Sequence, residues 1–327
     1  MIVAGDIGGT NARLATFEVQ SGRLLLTKEI VYPSRSAPDL ETIVRRFVDE
    51  ARPGATAAAL GVAGPVRDGR TETPNLPWVV DARRLADILS VPTVTLLNDL
   101  KANAYGLRHL GPTDLAILQP GAKDAVGNQA ILSAGTGLGA AGLFWDGQRH
   151  RPFATEGGHA DFAPRTRLES DLMEAISREK GRVSYERILS GSGLVRLYTF
   201  LRERSGEPEP PALTERFRTQ DRAAVVSRCA LDGSDAVCVE ALDLFVSVYG
   251  AEAGNVALRM FATGGVFLGG GIAPKILSRL QRDGLFMAAF LDKGRMRSLL
   301  ESIPVLVVLN DRAALWGAAH CAAFDES

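Results

Sequence analysis

The sequence contains few cysteines, with three in 327 residues, at positions 229, 238 and 321. An odd number of widely scattered cysteines argues against a disulfide framework. None of the four histidines stands at a metal-ligand spacing from these cysteines, so the pattern predicts no zinc site.

The sequence also lacks an excess of charge of either sign, since it contains 37 basic and 38 acidic residues and no long basic run. Nothing in this balance indicates a nucleic acid or a membrane surface as a partner. Glycines and charges interrupt every apolar stretch before it could span a bilayer. Because the chain reaches Asp6 without a basic segment, we expect no signal peptide and a cytoplasmic protein.

Two common nucleotide-binding signatures are absent: the P-loop ending in Gly-Lys-Ser/Thr and the protein-kinase catalytic set. Residues Gly137 to Gly142 do match the letters of the dinucleotide fingerprint GxGxxG. That fingerprint requires a helix that begins inside it. Here the continuation Leu143 to Gly147 predicts a strand and an Asp-Gly turn. We therefore interpret the match as spurious.

Two short glycine-rich turns, Gly5 to Asn11 and Ser133 to Gly139, are the most informative features present. Each lies between two apolar runs, which predicts a strand, a tight turn and a second strand. Small residues let the backbone approach a ligand closely, so several N–H groups can converge on one anion. Two such hairpins facing each other across a cleft would hold a polyphosphate. The pattern predicts a phosphotransferase that uses a nucleotide.

A third glycine run, Gly269, Gly270 and Gly271, follows a predicted strand and precedes a helix predicted over Pro274 to Gln281. A helix N-terminus presents free N–H donors and suits a phosphate, and flat glycine backbone can lie beneath an adenine ring. The alternative is tight packing between strand and helix.

Asn98 and Asp99 close a strand predicted over Val94 to Leu97. Ligands gather at the carboxyl ends of parallel strands, where Asp99 could take a proton from a hydroxyl while Asn98 bonds a neighbouring one. The alternative is that the pair only caps the following helix.

A second polar cluster comprises Glu156, His159 and Glu186. Carboxylates and imidazole suit a sugar, whose hydroxyls both donate and accept hydrogen bonds. The alternatives are a structural histidine and, for Glu186, a solvent-facing position on a helix.

Strands and helices alternate along the chain, and its length predicts about two domains. We predict a small α/β domain from residues 1–110 plus 305–327, completed by the last strand and the C-terminal helix. A large α/β domain over 111–304 makes up the rest.

The chain resembles the bacterial glucokinases of the hexokinase/actin-like ATPase superfamily. The resemblance extends over nearly the whole chain, through Gly5 to Arg13, Leu97 to Leu100, Gly135 to Gly139, Glu156 to Pro164, Tyr185 to Leu194 and Gly264 to Pro274. It implies an α/β protein with the two-domain actin-like ATPase (ribonuclease H-like) fold and an interdomain cleft. It also implies phosphorylation of D-glucose with ATP and Mg²⁺, and a homodimer.

The resemblance further implies a role for each motif. Asp99 would be the general base on the sugar 6-hydroxyl, and Asn98, Glu156, His159 and Glu186 would bind the other hydroxyls. The phosphates would lie on two turns, with Asp6 near the metal: Asp6, Gly8, Gly9, Thr10 and Asn11 in the first, Gly135, Thr136 and Gly137 in the second. Gly269, Gly270 and Gly271 would border the adenosine.

Related sugar kinases of the repressor–open-reading-frame–kinase family carry a cysteine-rich zinc motif, and their repressors carry an N-terminal DNA-binding helix-turn-helix. Neither is expected here, because no cysteine precedes Cys229 and the first motif begins at Gly5. Three alternatives stay open: another hexose or N-acetylated amino sugar as acceptor, polyphosphate as donor, and a sugar sensor without catalysis.

Overall fold

A computed structural model describes residues 1–73 and 76–324 of the chain. The chain divides into two compact units, which are described separately. The first unit comprises Met1–Asp114, Arg151–Ala154 and the chain from Asn310 onward, and the second comprises Leu115–His150 and Thr155–Leu309. Residues 325–327 of the predicted small domain lie outside the described residues.

The first unit is built on a five-stranded sheet. Its elements are β1 (Ile2–Ile7), β2 (Asn11–Gln20), β3 (Arg23–Pro33), α1 (Leu40–Ala51), β4 (Ala57–Val62), β5 (Arg70–Glu72), β6 (Val79–Asp81), α2 (Ala82–Leu89), β7 (Val94–Asn98) and α3 (Asp99–Gly106). The sheet order is β3-β2-β1-β4-β7, and β5 pairs with β6 separately. Strands β1 and β2 run antiparallel, as predicted for the first glycine turn, whereas β4 runs parallel to β1.

Helix α1 shows why these residues form this element. Asp39 caps it by accepting a hydrogen bond from the Thr42 amide at 2.8 Å. Its apolar residues recur at helical spacing and are fully buried against the sheet: Leu40, Ile43, Val44 and Phe47. Burial of each such side chain is worth about 1.5–3 kcal/mol, so the apolar stripe holds the helix in place.

The second unit is larger and more helical. Its elements are β8 (Leu115–Gln119), β9 (Gln129–Ala134), β10 (Leu138–Trp145), α4 (Arg167–Lys180), α5 (Gly191–Ser205), α6 (Pro211–Thr219), α7 (Arg222–Asp232), α8 (Ala236–Arg259), β12 (Gly265–Gly269), α9 (Leu277–Gln281), α10 (Leu285–Leu291), α11 (Arg297–Glu301) and β13 (Val305–Val308). Strand β11 (His150–Thr155) begins and ends in this unit, whereas its residues Arg151–Ala154 are assigned to the first. The sheet order is β11-β10-β9-β12-β13-β8. The second glycine turn joins the antiparallel strands β9 and β10, and no helix begins inside it. The interpretation of the GxGxxG match as spurious is therefore confirmed.

The long helix α8 lies in the core of the second unit and carries two glycines, Gly250 and Gly254. A Cβ atom at either position would collide with the backbone of Phe286 or Phe290 in α10. The close packing of α8 on α10 therefore requires glycine at both positions.

The last strand corrects one prediction. Strand β13 runs parallel to β12 and antiparallel to β8, so it belongs to the sheet of the second unit and not to the first domain. A four-residue apolar strand fits the interior of either sheet equally well, which is why its sequence does not reveal its partner.

Only the helix that follows β13, α12 (Ala313–Phe324), returns to the first unit. There it packs on α3 through Gly106 and Gly317, at which a Cβ would collide with backbone atoms of the facing helix.

Within the described residues, no helix is both long enough and apolar enough to cross a membrane.

Candidate active site

The first glycine turn joins β1 to β2 and is closed by backbone hydrogen bonds. The amide of Gly8 donates to the carbonyl of Asn11 at 2.9 Å. From the following segment, the Ser34 hydroxyl donates to the carbonyl of Gly8 at 2.7 Å, and its amide donates to the carbonyl of Thr10 at 2.8 Å. Thr10 and Asn11 remain exposed at the tip, where a ligand can reach them.

Asp6 lies next to this turn, near the end of β1. Its neighbours across the sheet are Arg13 of β2 and Gly61 of β4. Burial, followed by the negative charge of Asp99, raises the pKa of the Asp6 carboxyl to about 6, while the charge of Arg13 opposes the shift. The first unit thus brings two predicted site carboxylates close enough to repel one another.

Arg13 belongs to an ion-pair cluster that the sequence analysis does not identify. Its guanidinium lies 2.8 Å from the Asp311 carboxylate and 3.4 Å from that of Glu29, which Arg312 also contacts at 3.1 Å. The hydrogen bond from Arg13 lowers the pKa of the Asp311 carboxyl. The one sequence signal is the position of Arg13, seven residues after Asp6 on the paired strand, but its partner lies 298 residues away.

Asn98 and Asp99 lie where β7 passes into α3. The Asn98 Oδ1 accepts hydrogen bonds from the amides of Leu100 (3.0 Å) and Lys101 (3.3 Å), and its Nδ2 donates to the carbonyl of Gly64 (3.2 Å). Asn98 is therefore the helix cap that the alternative interpretation predicts. The half-buried Asp99 is the first helical residue, and its Oδ1 accepts from the amide of Leu100 at 2.9 Å.

The second glycine turn is held by its surroundings. The Gly135 amide donates to the Gly137 carbonyl at 2.8 Å, and the Gly135 carbonyl accepts from the amide of Gly191 at 2.9 Å. One residue earlier, the carbonyl of Ala134 accepts from the amide of Ile272 at 3.1 Å. The second and third glycine runs are thus in contact, although more than a hundred residues separate them.

Close packing explains two glycines of the third run. A Cβ on Gly269 would meet the Ser133 hydroxyl, and Gly270, at φ +79°, lies against the backbone of Ala134. Gly271 has open space around it. The predicted helix after this run is corrected: it begins as a four-residue 3-10 helix, Ala273–Ile276, and continues as the five-residue α9. These elements are too short to support a helix-dipole site for phosphate.

Glu156, His159 and Glu186 come together in the second unit. The His159 Nε2 lies 3.9 Å from the Glu156 carboxylate, and its Nδ1 lies 3.9 Å from the Glu186 Oε1. Glu186 stands on a three-residue 3-10 helix, Tyr185–Arg187, and its Oε2 accepts a hydrogen bond from the amide of Leu138 at 3.1 Å. It is therefore not the solvent-facing helical residue of the alternative interpretation.

The predicted site residues divide between the two units. The first unit holds the first glycine turn with Asp6, Asn98 and Asp99; the second holds the other two glycine runs and the Glu156, His159 and Glu186 cluster. In the part of the chain that the structure describes, no group of three or more His, Cys, Asp or Glu residues could hold a metal ion. The Asp6 carboxylate, the predicted metal ligand, nevertheless has the chemistry that suits Mg²⁺, which kinases bind through one or two carboxylates and the substrate phosphates.

A family model described as Glucokinase matches residues 3–324. The chain belongs to the glucokinase family. A glucokinase of Synechocystis sp. is 42% identical over 346 residues, which cover 98% of this chain and 97% of the relative. A glucokinase of Nostoc sp. is 41% identical over 339 residues, covering 99% of each chain.

Among solved structures, the crystal structure of a glucokinase from an Antarctic psychrotroph matches with a TM-score of 0.83 at 32% identity, covering 98% of each chain. The chain has the two-domain actin-like ATPase fold of this family, as the resemblance of its motifs implies.

Proposed function

We propose that this chain is a glucokinase that transfers the γ-phosphoryl group of ATP to the 6-hydroxyl of D-glucose. The observation that carries the proposal is the contact of Glu186 with both polar environments of the second unit. One of its carboxylate oxygens faces His159, among groups that suit sugar hydroxyls, and the other holds the glycine turn that suits phosphates. Membership of the glucokinase family over residues 3–324 supports the same reaction.

Asp99 acts as the general base in this proposal. The amide of Leu100 orients its carboxylate at the carboxyl end of β7. Removing the proton of the 6-hydroxyl as the phosphoryl group arrives is typically worth about 10²–10⁴-fold in rate. Asn98, Glu156, His159 and Glu186 bind the remaining hydroxyls, because together they supply both donors and acceptors.

The two exposed glycine turns hold the phosphates of ATP. In the first turn Gly9, Thr10 and Asn11 supply the backbone donors, while the amide of Gly8 closes the turn. In the second turn Thr136 and Gly137 supply the donors, while the amide of Gly135 closes the turn. Gly269, Gly270 and Gly271 border the adenosine, with the open backbone of Gly271 available to it. Asp6 would hold the Mg²⁺, which when bound would neutralise phosphate charge. The cytoplasmic location and the homodimer stay predictions.

A coupled assay of ADP release from ATP and Mg²⁺ tests this function. The acceptors are glucose, mannose, fructose, galactose, N-acetylglucosamine and no sugar, and a parallel series replaces ATP with polyphosphate and measures sugar phosphate. We expect release that depends strongly on glucose, with Asp99→Asn as the control for contaminating ATPase.

Equal rates with all hexoses would indicate a broad hexokinase, and a preference for N-acetylglucosamine would reassign the acceptor. Glucose binding without phosphoryl transfer from either donor would indicate a sensor.

A further inference from the structure

The two carboxylate oxygens of Glu186 serve two different neighbours. Its Oε1 lies 3.9 Å from the His159 Nδ1, within the polar cluster described above. Its Oε2 accepts a hydrogen bond from the amide of Leu138 at 3.1 Å. Leu138 is the first residue of β10 and directly follows the glycine turn, so this bond fixes the last peptide of the turn.

The contact is specific to one end of that turn. A Cβ atom on Gly137 would lie 2.5 Å from the Glu186 Oε2, whereas a Cβ on Gly135 would have no neighbour closer than the Gly271 amide at 4.0 Å. A methyl group at position 137 would therefore push the carboxylate away from the Leu138 amide. The same group at position 135 would leave it undisturbed.

The backbone that carries Glu186 is itself anchored in the core. The buried Tyr185 places its hydroxyl 3.0 Å from the Asn255 Nδ2, which also donates to the buried Glu252 carboxylate at 2.9 Å. On the other side, the Ser190 hydroxyl donates to the carbonyl of Glu186 at 2.8 Å. With both sides held, the backbone that carries the Glu186 side chain is anchored in the core.

We propose that Glu186 is a positioning residue for the phosphate-binding turn Gly135-Thr136-Gly137, in addition to its contact with the sugar. The inference rests on the proposed function, which assigns phosphates to this turn and hydroxyls to this cluster. One carboxylate then belongs to both binding sites, and displacing or removing that carboxylate alters the affinity of both.

The first test measures ADP binding in magnesium buffer without sugar, by isothermal titration calorimetry. Loss of one such hydrogen bond should weaken ADP binding by Glu186→Ala about three- to tenfold. Glu186→Gln keeps an oxygen that can accept from the Leu138 amide, so its ADP affinity should return to within about twofold of wild type. Glu156→Ala is the matched control, because Glu156 belongs to the same polar cluster but lies against His159, whereas the Leu138 amide donates to Glu186. The ADP affinity of this variant should not change.

The reciprocal test measures glucose binding without nucleotide. Gly137→Ala should weaken glucose binding about three- to tenfold by displacing the Glu186 carboxylate, and Gly135→Ala should bind glucose as wild type does. Thermal unfolding of every variant confirms that the fold is retained. If Glu186→Ala does not fold, Gly137→Ala decides the question, because that variant retains the Glu186 residue and displaces only its carboxylate.

An ADP affinity of folded Glu186→Ala equal to that of wild type overturns the inference, as does unchanged glucose binding by Gly137→Ala. Either result leaves the proposed function standing if wild type phosphorylates glucose. A wild type that phosphorylates no sugar refutes the proposed function in its own assay, and the ADP measurements still decide whether Glu186 positions the turn.

Discussion

The two glycine hairpins are built alike but are stabilised differently. In each sheet an antiparallel hairpin is followed by a parallel strand, β1–β2 with β4 and β9–β10 with β12. The first turn lies beside charge, with Asp6 and Arg13 on its two strands. The second lies beside packed backbone and a single carboxylate, that of Glu186.

This difference shows that a glycine turn provides backbone donors, while its neighbours decide the chemistry. Asp6 and Asp99 repel one another in the first unit, and such a pair attracts a cation or a proton. The second unit instead places polar groups that suit hydroxyls, Glu156, His159 and Glu186, close to the turn. Substitutions near the two turns should therefore impair different properties of the protein.

The largest expected effect is the loss of turnover on substitution of Asp99. Asp99→Asn should lower kcat by about 10²–10⁴ with glucose affinity largely kept, because the amide cannot accept the 6-hydroxyl proton. Steady-state kinetics with a separate glucose titration measure both effects. A variant within a few-fold of wild-type turnover would show that Asp99 is not the base.

At Gly270 of the third glycine run, which packs against the second hairpin, substitution is expected to lower stability. Gly270→Ala should lower the free energy of unfolding by about 1–3 kcal/mol, because φ is +79° and the new Cβ would meet the backbone of Ala134. The matched control is Gly271→Ala, which has open space and should stay within about 0.5 kcal/mol of wild type. Urea unfolding followed by circular dichroism compares the two; similar losses would contradict the packing explanation.

Substitution of Asp6 should have the opposite effect on stability and raise the free energy of unfolding. The folded chain holds a proton on Asp6 up to about pH 6, whereas the unfolded chain releases it near the ordinary value of 3.8. The contribution of Asp6 to the free energy of unfolding therefore falls as pH rises through this window, and the destabilisation is fully present above it.

In EDTA, Asp6→Asn should consequently be more stable than wild type by about 1–3 kcal/mol at pH 7.5, with the difference vanishing below pH 4. Unfolding midpoints at several pH values test this. A difference that does not vary with pH would show that the Asp6 carboxyl does not titrate in this range.

The smallest effect is expected in the sugar cluster, where each group makes one of several contacts. His159→Ala or Glu156→Gln should raise the glucose KM about three- to tenfold and leave kcat within a few-fold of wild type. Initial rates over a range of glucose concentrations measure this split. An unchanged KM would exclude that residue from the sugar site.

Local signals in the sequence suffice for many elements. The apolar residues of α1 recur at helical spacing, which is a local signal for a helix, and a glycine turn between apolar runs predicts each hairpin. The 3-10 helix that carries Glu186 has no such signal, because three residues are too few for a period to emerge. The sequence of β13 likewise does not indicate to which sheet the strand belongs, since a short apolar strand could pair with buried strands of either sheet.

The sequence by itself determined the glycine turns, the polar residues that follow the strands and the family to which the chain belongs. These depend on residue type and on spacing over a few positions, which the chain carries locally. Only the tertiary structure decided that Arg13 pairs with Asp311, that Gly270 packs on Ala134 and that Glu186 holds the amide of Leu138. Such contacts join residues far apart in the chain, and they exist only once burial of the apolar cores has brought the strands and helices together.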